Sequence, residues 1–496
     1  MRTALLASAA LLLGLASCKS DRQDAALQNG QCDTYVGVSV RFPAPETRDL
    51  PGDYNEKGEW QGRDVIKKIK VYVATTSNGA TTISSDQFTE ANFGGINNGI
   101  LAPNLAVEAK SGDKVKIYVV INDVNSKVTS ILDQKANTPA TFDEEFKKAV
   151  ATVAAIADVA KYDAEKDIVL MTNEKAPEDT TIAPNISKED AIGGKANRVE
   201  VRVSRVASRA IVTVDDEAVK TIKVERSFTD AEGATTKSTT ATVTVKDIMY
   251  QVTGSALQFN VLEARKNWKV AAPVYDFAPT SSTWADLVTE GANKMLFTDA
   301  GNYQKALVKA DNSLDNVKAA LGAETFSKFV LPVTHAAGKY MKGNTTMFEI
   351  KATFTVDKID GVAPTSTDAQ TVYLGLSDGK FYSTKEKAEA MDVNATSTSE
   401  KKQSAKEYKN GEMYYYIWLN PNVDYNDLTK TISESPTVRN QVYHAHITGF
   451  GEMGVADKDE IDPDTPLETK KTHLSVQLRV LPWTIHSYTV NLINRY

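Results

Sequence analysis

Tyr35-Val36-Gly37-Val38-Ser39-Val40-Arg41-Phe42 is the stretch from which the fold of this chain can be read. Val36, Val38, Val40 and Phe42 alternate with small or polar residues, the period of a half-buried β-strand. Pro43 and Pro45 end it, because proline cannot donate to a sheet ladder. Glu46-Thr47-Arg48-Asp49-Leu50-Pro51-Gly52 then has the composition of an exposed loop. An arginine in such a loop is a natural protease target, and a cut between Arg48 and Asp49 would separate the strand from everything after it.

Upstream of the strand, Met1-Arg2 is followed by an apolar run from Ala4 to Ala16 and then Ser17-Cys18. A basic start, a short hydrophobic segment and small residues at a cleavage point make a secretory signal. The run is too short to span a bilayer, which takes about 20 apolar residues. Leu15-Ala16-Ser17-Cys18 resembles a bacterial lipobox, which makes Cys18 the expected lipid-bearing residue. The chain has two cysteines. With Cys18 lipidated, Cys32 is expected to have no partner within the chain, and a cut at Arg48 leaves a product without thiols, disulfides or thiolate metal sites.

Downstream, strand-like segments separated by turn residues dominate. Residues 65–74 and 114–122 are rich in Val, Ile and Tyr, and 198–204 alternates cleanly. Further strands are expected at 209–214, 239–245, 329–333, 346–356, 414–419, 440–448 and 474–481. One long helix is expected over 141–162. Thr141 and Glu144 stand at capping-box spacing, and Phe142, Phe146, Val150, Val153, Ile156 and Ala160 recur at helical steps. A shorter helix is expected near 314–328. Many strands with a few inserted helices favour β-sandwich domains, with a boundary near Val206.

The chain's 496 residues accommodate two to four domains, and 42% hydrophobic with 24% charged residues is ordinary for a globular protein. The net charge of −7 is scattered, without the clustered basic face of a nucleic-acid partner. The five histidines are the best candidates for chemistry. His444 and His446, two apart on a strand, share a face and could chelate a metal, but no third ligand is identifiable. They read as two half-exposed polar residues. His335 and His486 have no recognisable nucleophile or orienting group nearby. The run Asp457-Lys458-Asp459-Glu460-Ile461-Asp462 fails the EF-hand template, with Ile461 at the fifth position and Asp462 where glycine is required. There is no GxSxG, HExxH or P-loop pattern. No catalytic residue, metal or cofactor is assigned, and an enzyme is not expected.

The C-terminus carries a second alternating strand, with Tyr488, Val490, Leu492 and Tyr496 on one face. A plain edge or core strand is the usual reading. An apolar terminal strand is also what donor-strand complementation requires, with the segment 36–42 as the piece whose removal empties a groove.

Beyond these features the chain resembles the fimbrillins of Bacteroidales, specifically the Mfa type related to FimA. The similarity runs from the lipobox to the C-terminus. It includes Gly58-Glu59-Trp60, Lys116-Ile117-Tyr118-Val119-Val120-Ile121-Asn122-Asp123, Val203-Ser204-Arg205-Val206-Ala207-Ser208-Arg209-Ala210 and Leu331-Pro332-Val333-Thr334-His335. Its most specific parts are Tyr415-Tyr416-Ile417-Trp418-Leu419-Asn420-Pro421, the run from Val438 to Ile447, and the ending Val480-Leu481-Pro482-Trp483-Thr484-Ile485-His486-Ser487-Tyr488.

The resemblance implies a mainly β chain of two transthyretin-like β-sandwich domains. The expected layout is a signal peptide at 1–17, a propeptide at 18–48, an N-terminal domain at 49–206 and a C-terminal domain at 207–496. It implies a lipoprotein precursor on the outer membrane, cut by an arginine-specific surface protease and polymerised by donor-strand exchange into an adhesive fimbrial shaft. Arg48 best matches the processing position, with Arg41 and Arg63 as alternatives. The expected partners are further copies of the chain, accessory anchor and tip subunits, the protease, and host or bacterial surface receptors. A non-polymerising anchor or tip subunit, or a surface lipoprotein binding glycans or nutrients, is the competing reading.

Overall fold

The computed structural model describes residues 17–18, 32–42, 64–97, 100–103, 106–164, 166–262, 264–266, 269–271, 277–292, 294–298, 301–311, 313–324, 328–333, 335, 339–397, 400–419, 437, 439–467, 479–482 and 488–492. The chain is mainly β, with a few short helices, and divides into two compact units. The first gathers residues 1–44, 66–151 and 170–204; the second gathers 45–65, 152–169 and 205–496. The chain therefore crosses from one unit to the other more than once, which a single sequence boundary does not convey.

In the first unit the ladder runs through Ala80–Thr89, Lys68–Ser77, Gly112–Ile121, Met171–Asn173, Arg198–Arg205, Thr34–Arg41, Ile100–Pro103 and Phe93–Asn97. Its two halves enclose one core. Ile69, Val71, Val73, Val115, Ile117, Val119 and Ile121 from one half meet Val36, Val38, Val40, Val107, Val201 and Val203 from the other. The period-2 alternation of these valines and isoleucines is what drives one face of each strand out of water.

In the second unit, Ser208–Val219 and Gln441–Phe450 run parallel at the centre of one sheet. Thr221–Thr229, Thr235–Thr253, Met347–Val356 and Glu412–Trp418 form a second, antiparallel sheet. The two pack as a sandwich, with the Tyr415 ring 5.4 Å from that of Phe450. Arg209, on Ser208–Val219, is fully buried. Its Nη1 donates to Asp167 Oδ2 at 2.7 Å and its Nη2 to Glu324 Oε2 at 2.8 Å. A buried guanidinium holds its place only when paired in this way, and the pairing ties the 152–169 segment to this unit.

The helix expected over 141–162 ends after one short stretch, Phe142–Lys148. Thr141 does not cap it; its hydroxyl donates to the Thr138 carbonyl at 3.2 Å. Ala149 turns extended at φ −63 and ψ 128, and Val150–Thr152 is a strand. Val153 N then donates to Leu257 O at 2.9 Å. The β-branched Val150, Thr152 and Val153 suit that extended path, so their helical spacing was coincidental. The helix expected near 314–328 is present as Leu314–Ala323. Cys32, expected to have no partner, is buried and disulfide-bonded.

Candidate assembly site

Thr34–Arg41 is an interior strand with a ladder on each side. Gly37 to Arg41 pair in parallel with Arg198 to Arg202. On the other side, Thr34 to Gly37 run antiparallel to Ala106–Ala109, and Val40 and Arg41 antiparallel to Leu101 and Ile100. Val36 and Val40 have no exposed surface and Val38 has 2%. Phe42, just past the strand, packs against the same core while remaining partly buried. Together the three valines contribute on the order of 5–9 kcal/mol of apolar burial before ordering costs.

The strand is more deeply placed than its alternation suggested, because the face opposite the valines is covered too. A Cβ on Gly37 would lie 2.2 Å from the Ala191 carbonyl oxygen in the Lys188–Ile192 helix. Only glycine permits that approach, and the Gly-Ser spacing at 37 and 39 is its only trace in the sequence. Polar side chains fix the register. Asn197, at φ 51, donates from Nδ2 to Thr34 Oγ1 at 2.9 Å and to Tyr35 O at 3.1 Å. Arg198 Nε donates to Ser39 Oγ at 2.8 Å, and Tyr35 OH to Glu108 Oε1 at 2.8 Å. At the exit, Arg41 grips Glu200 with two bonds, Nη2 to Oε2 being 2.7 Å. At the entry, Lys110 Nζ donates to Asp33 Oδ2 at 2.8 Å and Ser111 N to Asp33 Oδ1 at 2.7 Å.

The C-terminal strand Tyr488–Leu492 lies in a different sheet. It runs parallel to Gln441–Phe450, with Tyr488 opposite Ala445, Val490 opposite Ile447 and Leu492 opposite Phe450. Just before it, Arg479–Pro482 runs antiparallel along the first half of the same edge, from Gln441 to His444. Among the described residues this strand is thus held by a single ladder. Ser17 and Cys18 form a two-residue strand beside Ile83 and Ser84. Arg48 and Asp49 lie outside the described residues, as does His486. The expected sites thus fall into two groups, one on the interior strand of the first unit and one on the edge strand of the second.

His444 and His446 are not half-exposed; they retain 0% and 1% of their surface. Both sit on Gln441–Phe450 and share one hydroxyl of the neighbouring strand. Thr213 Oγ1 lies 2.7 Å from His444 Nε2 and 2.8 Å from His446 Nδ1. Sequence gave Thr213 no prominence, because its role depends on the parallel register that sets it opposite His446. His335 is also buried, its Nε2 2.8 Å from Asn344 O. The acidic run serves local structure: Asp457 caps a single turn, Lys458–Glu460, and Glu460 pairs with Lys406 at 2.5 Å. Among the described residues, no group of three or more His, Cys, Asp or Glu side chains is placed to hold a metal ion.

Residues 406–489 match the model of the family described as major fimbrial subunit protein type IV, fimbrillin, C-terminal. Two relatives, each named minor fimbrium subunit Mfa1 and both from Porphyromonas gingivalis, are 27% identical to the chain and align over 98% of it and 98% of their own length. A solved fimbrilin (fimA) from Porphyromonas gingivalis W83 superposes over 94% of this chain and 99% of its own, with 13% identity and a TM-score of 0.41.

Proposed function

The chain is a fimbrillin of the Mfa/FimA type, and from that premise we propose that it is the polymerising shaft subunit of a surface fimbria, activated by removal of its own N-terminal strand. The observation that carries the reading is the placement of Thr34–Arg41. It is an interior strand of the sheet, followed in the sequence within seven residues by an arginine flanked by prolines. Taking it out strips hydrogen-bond partners from Arg198–Arg205 on one side and from Ile100–Pro103 and Ala106–Ala109 on the other. It also opens the core that Val36, Val38, Val40 and Phe42 fill. A groove with two unsatisfied edges and an apolar floor calls for a replacement strand.

In this reading Cys18 carries the lipid that holds the precursor at the outer membrane. An arginine-specific surface protease cuts between Arg48 and Asp49. Tyr488, Val490 and Leu492 of a second copy then fill the emptied groove. A head-to-tail contact of this kind does not close on itself, so it propagates as a filament. Anchor and tip subunits bound the shaft, and adhesion to host or bacterial surfaces is its output. A thioether lipid at Cys18 and a disulfide at Cys32 exclude one another, since the chain has no third cysteine. Intact mass of the membrane-bound precursor tells which form is exported.

The close fit of Thr34–Arg41, with Gly37 against Ala191 O, also suits an anchor or tip subunit that never sheds its strand. Cleavage of the purified precursor by an arginine-specific protease separates the two readings. A new N-terminus at Asp49 followed by filaments, lost when the chain is truncated after Ser487, supports the shaft. A cut that leaves a stable monomer rejects it.

A further inference from the structure

We propose that His444, Thr213 and His446 form a pH-sensitive latch on the C-terminal strand, closed while both rings are neutral and opened by protonation, which frees Tyr488–Leu492 to act as a donor. The inference rests on the donor-strand reading above. Its basis is the geometry of a hydrogen-bond chain with one proton arrangement available. Asp215 Oδ2 lies 3.4 Å from His446 Nε2 and accepts from it. His446 Nδ1 is then the bare nitrogen, and the Thr213 hydroxyl donates to it. The oxygen of that hydroxyl accepts from His444 Nε2–H. This leaves His444 Nδ1 as a lone pair with no partner among the described residues, in a fully buried site.

A proton added at His446 Nδ1 turns that nitrogen into a donor. The Thr213 oxygen, with two lone pairs, then accepts from both rings, and its own proton, displaced from His446 Nδ1, is left without an acceptor among the described residues. The chain therefore has no closed arrangement for the extra charge, and a buried donor without a partner is the expensive case. Burial pushes His444 down to about 3, and burial also lowers His446 although Asp215, Asp311 and Asp216 pull it up. The charged residues in register beside the cluster are Lys309, opposite Asp215, and, on the outer ladder, Arg479, opposite His444. The three carboxylates make His446 the first ring to take a proton.

The latch reaches the C-terminal strand through the backbone. His444 pairs with Arg479, Ala445 with Tyr488, and His446 with Thr489. Water reaches the rings when Gln441–Phe450 frays, and Gln441–Phe450 frays when its outer ladder leaves. A group whose native pKa is depressed stabilises the closed form fully above its ordinary value, about 6.5 for histidine. That stabilisation is lost as the pH falls from there toward the native value. Each pH unit below about 6.5 favours the open form by about tenfold per histidine.

The test is hydrogen exchange with mass spectrometry on the purified full-length precursor at pH 7.5, 6.0 and 5.0, corrected for intrinsic amide rates. The expected result is that exchange at 441–450 and 488–492 rises at least about tenfold from pH 7.5 to 5.0 relative to 347–356. The double variant His444→Gln with His446→Asn places amide nitrogens near Nε2 and Nδ1 without a titrating ring, and its exchange is expected to stay flat. Should that variant not fold, Asp215→Asn removes a carboxylate that holds His446 up, so the rise starts at the same pH and becomes larger at pH 5.0 than in the wild type. Unchanged wild-type protection, the same rise in the double variant, or a smaller rise at pH 5.0 in Asp215→Asn than in the wild type overturns the latch. Assembly after arginine-specific cleavage is scored separately at pH 7.5. Filaments that need 488–496 beside pH-independent protection reject the latch and keep the donor strand. Filaments that survive the truncation reject the donor role, and with it the release step of the latch.

Discussion

The two terminal strands of this chain are held in opposite ways. Thr34–Arg41 has a ladder on each edge, a core on one face, a helix on the other and side-chain anchors at both ends. Tyr488–Leu492 has five residues and, among the described residues, a single parallel partner, Gln441–Phe450. A strand that leaves only after a peptide bond is cut can be built into the fold as firmly as any other. A strand that must leave an intact chain cannot, because the whole cost of its release falls on the equilibrium. The contrast is what the proposed processing and self-assembly would require of the two ends.

The largest effect that would test the contrast comes from charging each strand in turn. Val38→Asp buries a carboxylate with no counter-charge and is expected to destabilise the precursor by more than about 4 kcal/mol, read as the midpoint of urea unfolding. Val490→Asp is expected to shift that midpoint far less while abolishing filaments after cleavage. Equal loss of precursor stability in the two variants would remove the distinction between a built-in and a releasable strand.

A smaller change probes the covered face. Gly37→Ala drives a methyl toward the Ala191 carbonyl, and is expected to lose about 1–3 kcal/mol as the Lys188–Ile192 helix shifts. No change would mean that the helix yields freely and that the strand is held from one face only. Asn197→Ala comes next. It removes the donor to Thr34 Oγ1 and Tyr35 O and places alanine at φ 51, for an expected loss of about 1–2 kcal/mol in the same unfolding assay. Asn197→Gly restores the backbone freedom and separates the two contributions.

How much of this was legible follows from where each signal lives. Val36, Val38 and Val40 announce a strand because alternation is local, and the same holds for Lys68–Ser77 and Gly112–Ile121. The register is not local. Nothing around Thr213 hints that a parallel partner will set His446 opposite it, so the histidines looked half-exposed while the fold buries them completely. The 141–162 segment fails for a related reason. Its apolar residues fit a helical period, but the backbone at Ala149 turns extended and Val153 finds its partner at Leu257, more than a hundred residues away. The glycine at 37 is readable only once Ala191 is known to lie against it.

The smallest effect orders the two strands along the pH scale. At the entry to Thr34–Arg41, burial works against the charge on Asp33, but its bonds to Lys110 and Ser111 hold the carboxyl below its ordinary value. At the exit, the bond from Arg41 holds Glu200 below its own. A lowered carboxylate stabilises the fold above its ordinary pKa, about 4, and that stabilisation is lost as the pH falls through the native value. Both groups are partly exposed, so salt screens them and the change is small. Amide protection of 34–41 is therefore expected to stay level from pH 7 to 5 and to weaken only below about 4.5, with Glu200→Gln flattening part of the decline. The C-terminal strand, governed by histidines, loosens one to two pH units earlier on this account. If 34–41 opened together with 488–492 near pH 6, one process would be unfastening both ends, and the separate control of the two strands would have to be given up.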